Sequence, residues 1–202
     1  MNILTICSAL NNSYIGVEFN KKIYAEIIKS DINYHSLYLI SKIKSIFKEN
    51  GLSFEEINAI GVNTGPGSFT GIRVALSIAK TIASELNLPL VSLTTSEILL
   101  NAFDCDILLM DARRDMYFIG TKEKTELILK ADIEQYLQNK KILTDKRSKD
   151  LCKNAICFEE IEKNLCETML LLTKEKYLNN PNKEDFNHLK TEANYIQTPP
   201  IF

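Results

Sequence analysis

Asn63–Ala83 reads NTGPGSFTGIRVALSIAKTIA, and seven of its positions, 65–71, hold Gly65, Pro66, Gly67 and Gly71 from a chain with only 7 glycines and 5 prolines. The preceding AIGVNT (59–64) is short and apolar, as expected of a buried strand running into a turn. At about 100° per residue, Ile72, Ala75, Leu76, Ala79, Ile82, Ala83 and Leu86 fall on one face of the helix that follows. Val74 and Ile78 widen the apolar arc to about 200°, twice the stripe a surface helix needs. Arg73, Ser77, Lys80 and Ser84 make up the remaining polar wedge. A helix of this kind either lies deep in a core or keeps a second face for a partner.

A strand, a glycine-rich turn and a helix N-terminus can hold an anion on backbone N–H groups. The common signatures are absent. Gly71 is followed by Ile72 where a P-loop needs lysine, and Thr70 stands where a dinucleotide fingerprint needs its third glycine. The competing reading is geometric: Gly65 and Gly67 permit a tight turn, and Ser68 or Thr70 caps the helix. Spacing favours the geometric reading and leaves the anion cradle open.

Outward from this segment, NILTICSA and YIGVEFN flank the turn signal LNNS and predict a hairpin, with KIYAEIIKS as a third strand. Leu39, Ile40, Ile43, Ile46 and Phe47 recur at helical spacing between His35 and Asn50, and Gly51 stops them. LPLVSLTT predicts a strand, and SEILLNAF a helix capped by Ser96. From Asp104 onward, DILLMDA, DMYFIGTK and TELILK again predict three strands, followed by helical ADIEQYLQNK. KILTDK and AICFEE are candidate strands, IEKNLCETMLLLTKEKYLNN predicts a helix, and the tail ANYIQTPPIF reads as extended. Strand-strand-strand-helix thus occurs twice, which predicts an α/β chain in two units, 1–103 and 104–202.

At 202 residues, 45% apolar and 25% charged, the chain suits a globular protein with a sizeable core. A net charge of −2 excludes a global basic field, so any RNA is expected to be held through a partner. MNILTICSAL lacks the basic flank of a signal peptide, and no apolar run reaches about 18 residues, so a cytoplasmic protein off the membrane is expected. Cys7, Cys105, Cys152, Cys157 and Cys166 form an odd, scattered set that predicts reduced thiols. His35 and His188 are too distant in sequence to suggest a metal site. His35 reads as a packing or capping residue before it reads as a base. Asp111, Arg113 and Arg114 lie at a strand-to-strand turn, as a solvated hairpin tip or a phosphate-contacting corner. Ser8 and Ser13 could line a phosphate hairpin, and Cys7 is most simply core. No nucleophile–base pair or carboxylate dyad emerges.

GVNTGPGSFTGIRVALSIAKTIA (61–83) closely resembles the hallmark segment of the TsaB (YeaZ) family of bacterial tRNA threonylcarbamoyladenosine biosynthesis proteins. ILTICSA (3–9), YHSLYLI (34–40), LLMDARRDMYF (108–118) and NYIQTP (194–199) resemble further family segments in the same order. The resemblance implies a two-domain sugar kinase/Hsp70/actin-like (ASKHA, ribonuclease H-like) fold with a shortened second domain. It implies a non-catalytic sister of the TsaD-type catalytic subunit, working with a TsaE-type ATPase and meeting tRNA only through the complex. Gly65, Pro66, Gly67, Ser68, Phe69, Thr70, Gly71 and Arg73 would be the family motif. His35, Leu39, Val74, Ile78 and Thr81 would belong to a helical interface, in a homodimer or with the sister subunit. No intrinsic cofactor is implied, and ATP and metal would sit on the partner subunits.

The chain departs from the family at Cys7, where relatives usually carry aspartate, and at Gln197, where they carry arginine. Thr95 and Leu99 align with the sister subunit's metal-binding histidines and cannot replace them in that role. A small nucleotide-binding phosphotransferase or hydrolase of the same fold is the alternative. A peptidase finds no catalytic constellation here.

Overall fold

The computed structural model describes residues 1–29, 35–180 and 182–196, with side chains not described at 35–37 and 183. Two compact units form. The first comprises Met1–Thr95 together with Asn164–Asn194, and the second is built on Ser96–Lys163.

In the first unit, β1 (Ile3–Cys7), β2 (Ser13–Phe19) and β3 (Lys22–Ile28) form an antiparallel meander, with Cys7 opposite Tyr14 and Phe19 opposite Lys22. β4 (Ala59–Gly65) and β5 (Leu90–Thr94) extend the sheet in parallel on the other side of β1, for the order β3-β2-β1-β4-β5. β1 and β4 are buried along their whole length, which explains their near-continuous apolar sequences.

α1 (His35–Asn50) and α2 (Phe69–Leu86) cover one face. Leu39, Ile43, Ile46 and Phe47 of α1 join Ala75, Leu76, Ala79 and Ala83 of α2 over Leu4, Ile6, Ile15, Val17, Ile60 and Val62. Each large side chain so buried contributes about 1.5–3 kcal/mol. Gly51, at φ +61°, ends α1 as its sequence predicts, and the next N–H, of Leu52, reaches back to Phe47 O at 2.9 Å. Asn87 ends α2 in the left-handed conformation.

The opposite face is covered by α5 (Cys166–Asn179), which buries Cys166, Met169, Leu170 and Thr173. This corrects the division at 103/104, because the last long helix belongs to the first unit. The reason is a steric fit: Gly61 on β4 has no side chain, and Thr173 fills the space where its Cβ would lie. The helix also starts later than its apolar pattern suggests, at Cys166, whose N–H donates to Asn164 Oδ1 at 2.9 Å.

The second unit repeats the connectivity. β6 (Ile107–Asp111), β7 (Met116–Gly120) and β8 (Thr125–Leu129) form a meander, and β9 (Ile142–Thr144) and β10 (Ile156–Cys157) add in parallel, for the order β10-β9-β6-β7-β8. Read from the meander edge, both sheets run third, second, first, fourth, fifth, so the predicted repeat is a repeat of topology. Its helices are shortened. α4 is one turn, Glu134–Leu137, preceded by a 3-10 turn at Lys130–Asp132, and a 3-10 turn at Lys149–Leu151 is the only helix between β9 and β10. The longer helix expected over 131–140 ends at Leu137, where Gln138 turns extended at ψ 128° ahead of Asn139 at φ +55°. α3 (Thr95–Phe103) begins at Thr95, so Ser96 is inside it and not its cap; the Ser96 hydroxyl bonds that of Thr125 at 2.7 Å. Among the described residues, no helix is long and apolar enough to cross a membrane.

Candidate functional site

β4 delivers the glycine turn to the ends of β1 and β5. Gly65 has φ +107° and Gly67 φ +156°, values that L side chains rarely adopt, and the Gly65–Pro66 peptide is cis. The Gly65 N–H donates to Asn63 Oδ1 at 2.8 Å, and the Ser68 N–H to Ala9 O at 2.8 Å. Ser68 is the helix cap, its Oγ accepting from the Gly71 N–H at 3.2 Å, while Thr70 lies inside α2. Three backbone donors of the segment are therefore engaged, two by its own side chains and one by the β1–β2 hairpin. A Cβ on Gly67 would fall on Ala9 O, and one on Gly71 on Ser8 O. The glycines let the turn close onto the β1–β2 hairpin and set the direction of α2.

Beneath the turn lies a buried polar network centred on Asn63. Its Nδ2 donates to Cys7 Sγ at 3.3 Å and to Thr95 Oγ1 at 3.2 Å. Thr95 has one hydroxyl proton and directs it to Pro66 O at 2.5 Å. Burial pushes the Cys7 thiol pKa up, opposed by hydrogen bonds from Ala9 and Asn63, so a neutral thiol ends β1. The strand-end position thus carries no negative charge at neutral pH. Ser8 serves the same packing, donating to Gly71 O at 2.7 Å. An open depression of about 430 Å³ elsewhere in this unit is lined by Ser92, Lys176, Asn179, Asn180, Asp185 and Phe186, none of them from the turn.

The expected interface residues separate. Leu39 is fully buried in the chain's own core, because it heads the α1 stripe facing the sheet, so it is not available to a partner. Val74 and Ile78 are half-buried, packing against that core with part of each side chain left accessible. Thr81 is exposed, with its hydroxyl donating to Ser77 O at 2.8 Å. The His35 side chain and Gln197 lie outside the described residues. The exposed apolar groups on these helices are instead Tyr38 (55%), Ile40 (49%) and Phe69 (40%), with the Arg73 guanidinium stacked 3.9 Å over the Phe69 ring. Periodicity grouped Ile40 with the inward stripe, but at about 100° from Leu39 it turns out to the surface, and Tyr38 lies on the other flank of Leu39.

Asp111, Arg113 and Arg114 do come together, at the β6–β7 hairpin. Asp111 Oδ1 accepts the Arg113 N–H at 2.9 Å, and Oδ2 pairs with Arg147 at 3.3 Å. Asp145, at the end of β9, accepts the Asp111 N–H at 3.0 Å. Neither Asp145 nor Arg147 carries a local sequence signal, since the parallel β6–β9 pairing brings them here. Among the described residues, no three His, Cys, Asp or Glu side chains gather at metal-ligand spacing.

Residues 22–180 match the family of TsaD, tRNA N6-adenosine threonylcarbamoyltransferase. The TsaB protein of Buchnera aphidicola subsp. Baizongia pistaciae is 50% identical over 64 residues, 31% of this chain and 29% of that protein. The TsaB protein of Buchnera aphidicola subsp. Acyrthosiphon pisum is 25% identical over 190 residues, 91% of this chain and 85% of its own length. Both are tRNA threonylcarbamoyladenosine biosynthesis proteins by name. In fold, the chain matches a Pseudomonas aeruginosa protein described as similar to peptidase YeaZ, with TM-score 0.76 at 13% identity over 97% of this chain and 99% of that one. The duplicated β3-β2-β1-β4-β5 topology and the glycine segment agree with these similarities, and the chain belongs to the TsaD family, in its TsaB (YeaZ) branch.

Proposed function

We propose that this chain is a non-catalytic scaffold subunit of the cytoplasmic assembly that forms threonylcarbamoyladenosine beside the tRNA anticodon. It docks on a TsaD-type catalytic subunit, and a TsaE-type ATPase completes the assembly. ATP and metal act on those partners, and a homodimer through the same helices is the resting alternative. The observation that carries this reading is the family match over residues 22–180, and exposed Tyr38 and Ile40 of α1 and Phe69 of α2, with half-buried Val74 and Ile78, give the helix pair apolar contact groups. Isolated exposed apolar residues are ordinary, but several on one helix pair suit a protein partner. The neutral Cys7 and the internally engaged turn further support a structural role for the glycine segment.

The test is light scattering coupled to size exclusion, with and without a TsaD-type subunit. The wild-type chain is expected to form a complex. Tyr38→Glu combined with Thr81→Glu is expected to keep its melting temperature, since both side chains are exposed, and to lose the complex. Absence of any complex with the wild-type chain, or ATP turnover by the chain alone that vanishes in Gly67→Val, would overturn the proposal.

A further inference from the structure

β3 stands at one edge of the first sheet, where among the described residues it pairs only with β2. The other sheet edges are shorter or engaged. β10 has two residues and β8 five. Along β5, the carbonyls of Ser92 and Leu90 accept from Lys176 Nζ at 3.1 Å and Thr191 Oγ1 at 3.4 Å. β3 instead runs for seven residues in unbroken register with β2, without a bulge or a proline. Monomeric proteins commonly blunt such an edge with one of those devices, because its outward N–H and C=O groups template another strand.

The two faces of β3 differ. Lys22, Tyr24, Glu26 and Ile28 stand opposite Phe19, Val17, Ile15 and Ser13 on the α1 side. There Tyr24 and Ile28 pack on the core, and Glu26 pairs with Lys42 of α1 at 2.6 Å. Ile23, Ala25 and Ile27 lie on the α5 side, opposite Glu18, Gly16 and Tyr14. α5 seats Cys166 over Gly16 and Lys174 on Glu18, and the apolar stripe of β3 extends beyond it: Ala25 is exposed and Ile23 is 44% exposed. β2, one strand inward, is buried at nearly every position.

This edge is complementary to itself. In an antiparallel pair, residues opposite each other share a face. A two-fold axis through Ala25 pairs all seven residues of one β3 with those of another. It sets Ala25 against Ala25, Ile23 against Ile27, and Lys22 diagonally to Glu26. The two apolar stripes merge into one patch away from water, and the two charged residues of the strand meet as opposite charges. Apolar match and charge match hold in the same register.

We propose that β3 is a self-association edge to which a second copy of this chain adds, its β3 antiparallel to the first, so that two five-stranded sheets become one. Isologous pairing consumes the edge of both chains and closes the assembly at two copies. The interface goes beyond the docking on a TsaD-type subunit and does not depend on it.

The test is sedimentation equilibrium of the full chain, with hydrogen exchange followed as concentration rises. The wild-type chain is expected to dimerise, and alternate amides of Lys22–Ile28, those pointing away from β2, to gain protection as it does. Ala25→Lys sets two lysines face to face and is expected to weaken the dimer about tenfold or more, as is Ala25→Glu. Both variants should keep their melting temperature at low concentration, because the side chain is exposed. Mixing the two is expected to restore a dimer, since lysine then opposes glutamate. A wild-type chain that stays monomeric, or a dimer without new protection in β3, would overturn the proposal whatever the variants do. A mixture that associates no more tightly than either variant alone would do the same. A dimer lost in Thr81→Glu and kept in Ala25→Lys would place self-association on α2 instead.

Discussion

The carbonyl oxygen of Ser8 occupies the place where a Cβ on Gly71 would lie, and the Ser8 hydroxyl donates to the Gly71 carbonyl at 2.7 Å. Two segments distant in sequence are thereby locked together, backbone against backbone and through the Ser8 hydroxyl. In an ordinary exposed helix, Gly→Ala stabilises by about 1 kcal/mol. Gly71→Ala is expected to destabilise instead, by about 1–3 kcal/mol, because the added methyl overpacks the contact. Urea denaturation measures the sign directly, and a stabilised variant would show that α2 can slide away from the hairpin.

Gly65→Val and Gly67→Val test the turn itself. Both positions lie at positive φ, where a β-branched residue is strained by about 1–3 kcal/mol. Gly67→Val is expected to be the worse of the two, since its Cβ also meets the Ala9 backbone. Equal melting temperatures for wild type and both variants would reopen the anion-cradle account.

Gly61 and Thr173 form a coupled pair on which the docking of α5 depends. Gly61→Ala is expected to cost more than 2 kcal/mol on its own, within the range of core overpacking, about 1–3 kcal/mol. In a Thr173→Ala background the cost should fall, giving a coupling energy of about 0.5–3 kcal/mol in a double-mutant cycle. Additive effects would mean that α5 reaches the sheet without this contact.

Asn63 is fully buried and serves Cys7, Gly65 and Thr95 together. Asn63→Leu removes these partners and leaves the Gly65 N–H unsatisfied, at an expected cost of about 1–3 kcal/mol for a buried unpaired group. Asn63→Asp should be less stable at neutral pH than at pH 4, because an ionised carboxylate would be buried there without a cation. Stability curves at the two pH values check the sign.

The Cys166 thiol is pushed up to about 12, chiefly by burial and then by the nearby Cys7 thiol. A raised thiol pKa means that the folded chain keeps a proton the unfolded chain loses above about 8.5. Its contribution is therefore fully present below that pH and is lost as pH rises toward 12, at up to about 1.4 kcal/mol per pH unit. Melting curves from pH 8 to 10 should show a steeper loss for wild type than for Cys166→Ala. Parallel curves would show that the thiol stays accessible to water.

The sequence by itself determined the elements whose causes are local. The α1 stripe ends at Gly51, a cap at Ser68 or Thr70 opens α2, the strand runs are short and apolar, and each pattern depends on residues a few positions apart. The order of strands within each sheet is not carried by those runs, because the pairing of β4 beside β1 and of β9 beside β6 joins segments distant in sequence. Only the tertiary structure decided that α5 belongs to the first unit, because that depends on a missing Cβ at Gly61 meeting a hydroxyl at Thr173. It also decided that Leu39 is core while Tyr38 and Ile40 face out, since a helical period identifies a face without saying what lies against it. The link between Asp145, Asp111 and Arg113 has the same origin: a parallel strand pair brings distant carboxylates to one hairpin, and no local pattern encodes that meeting.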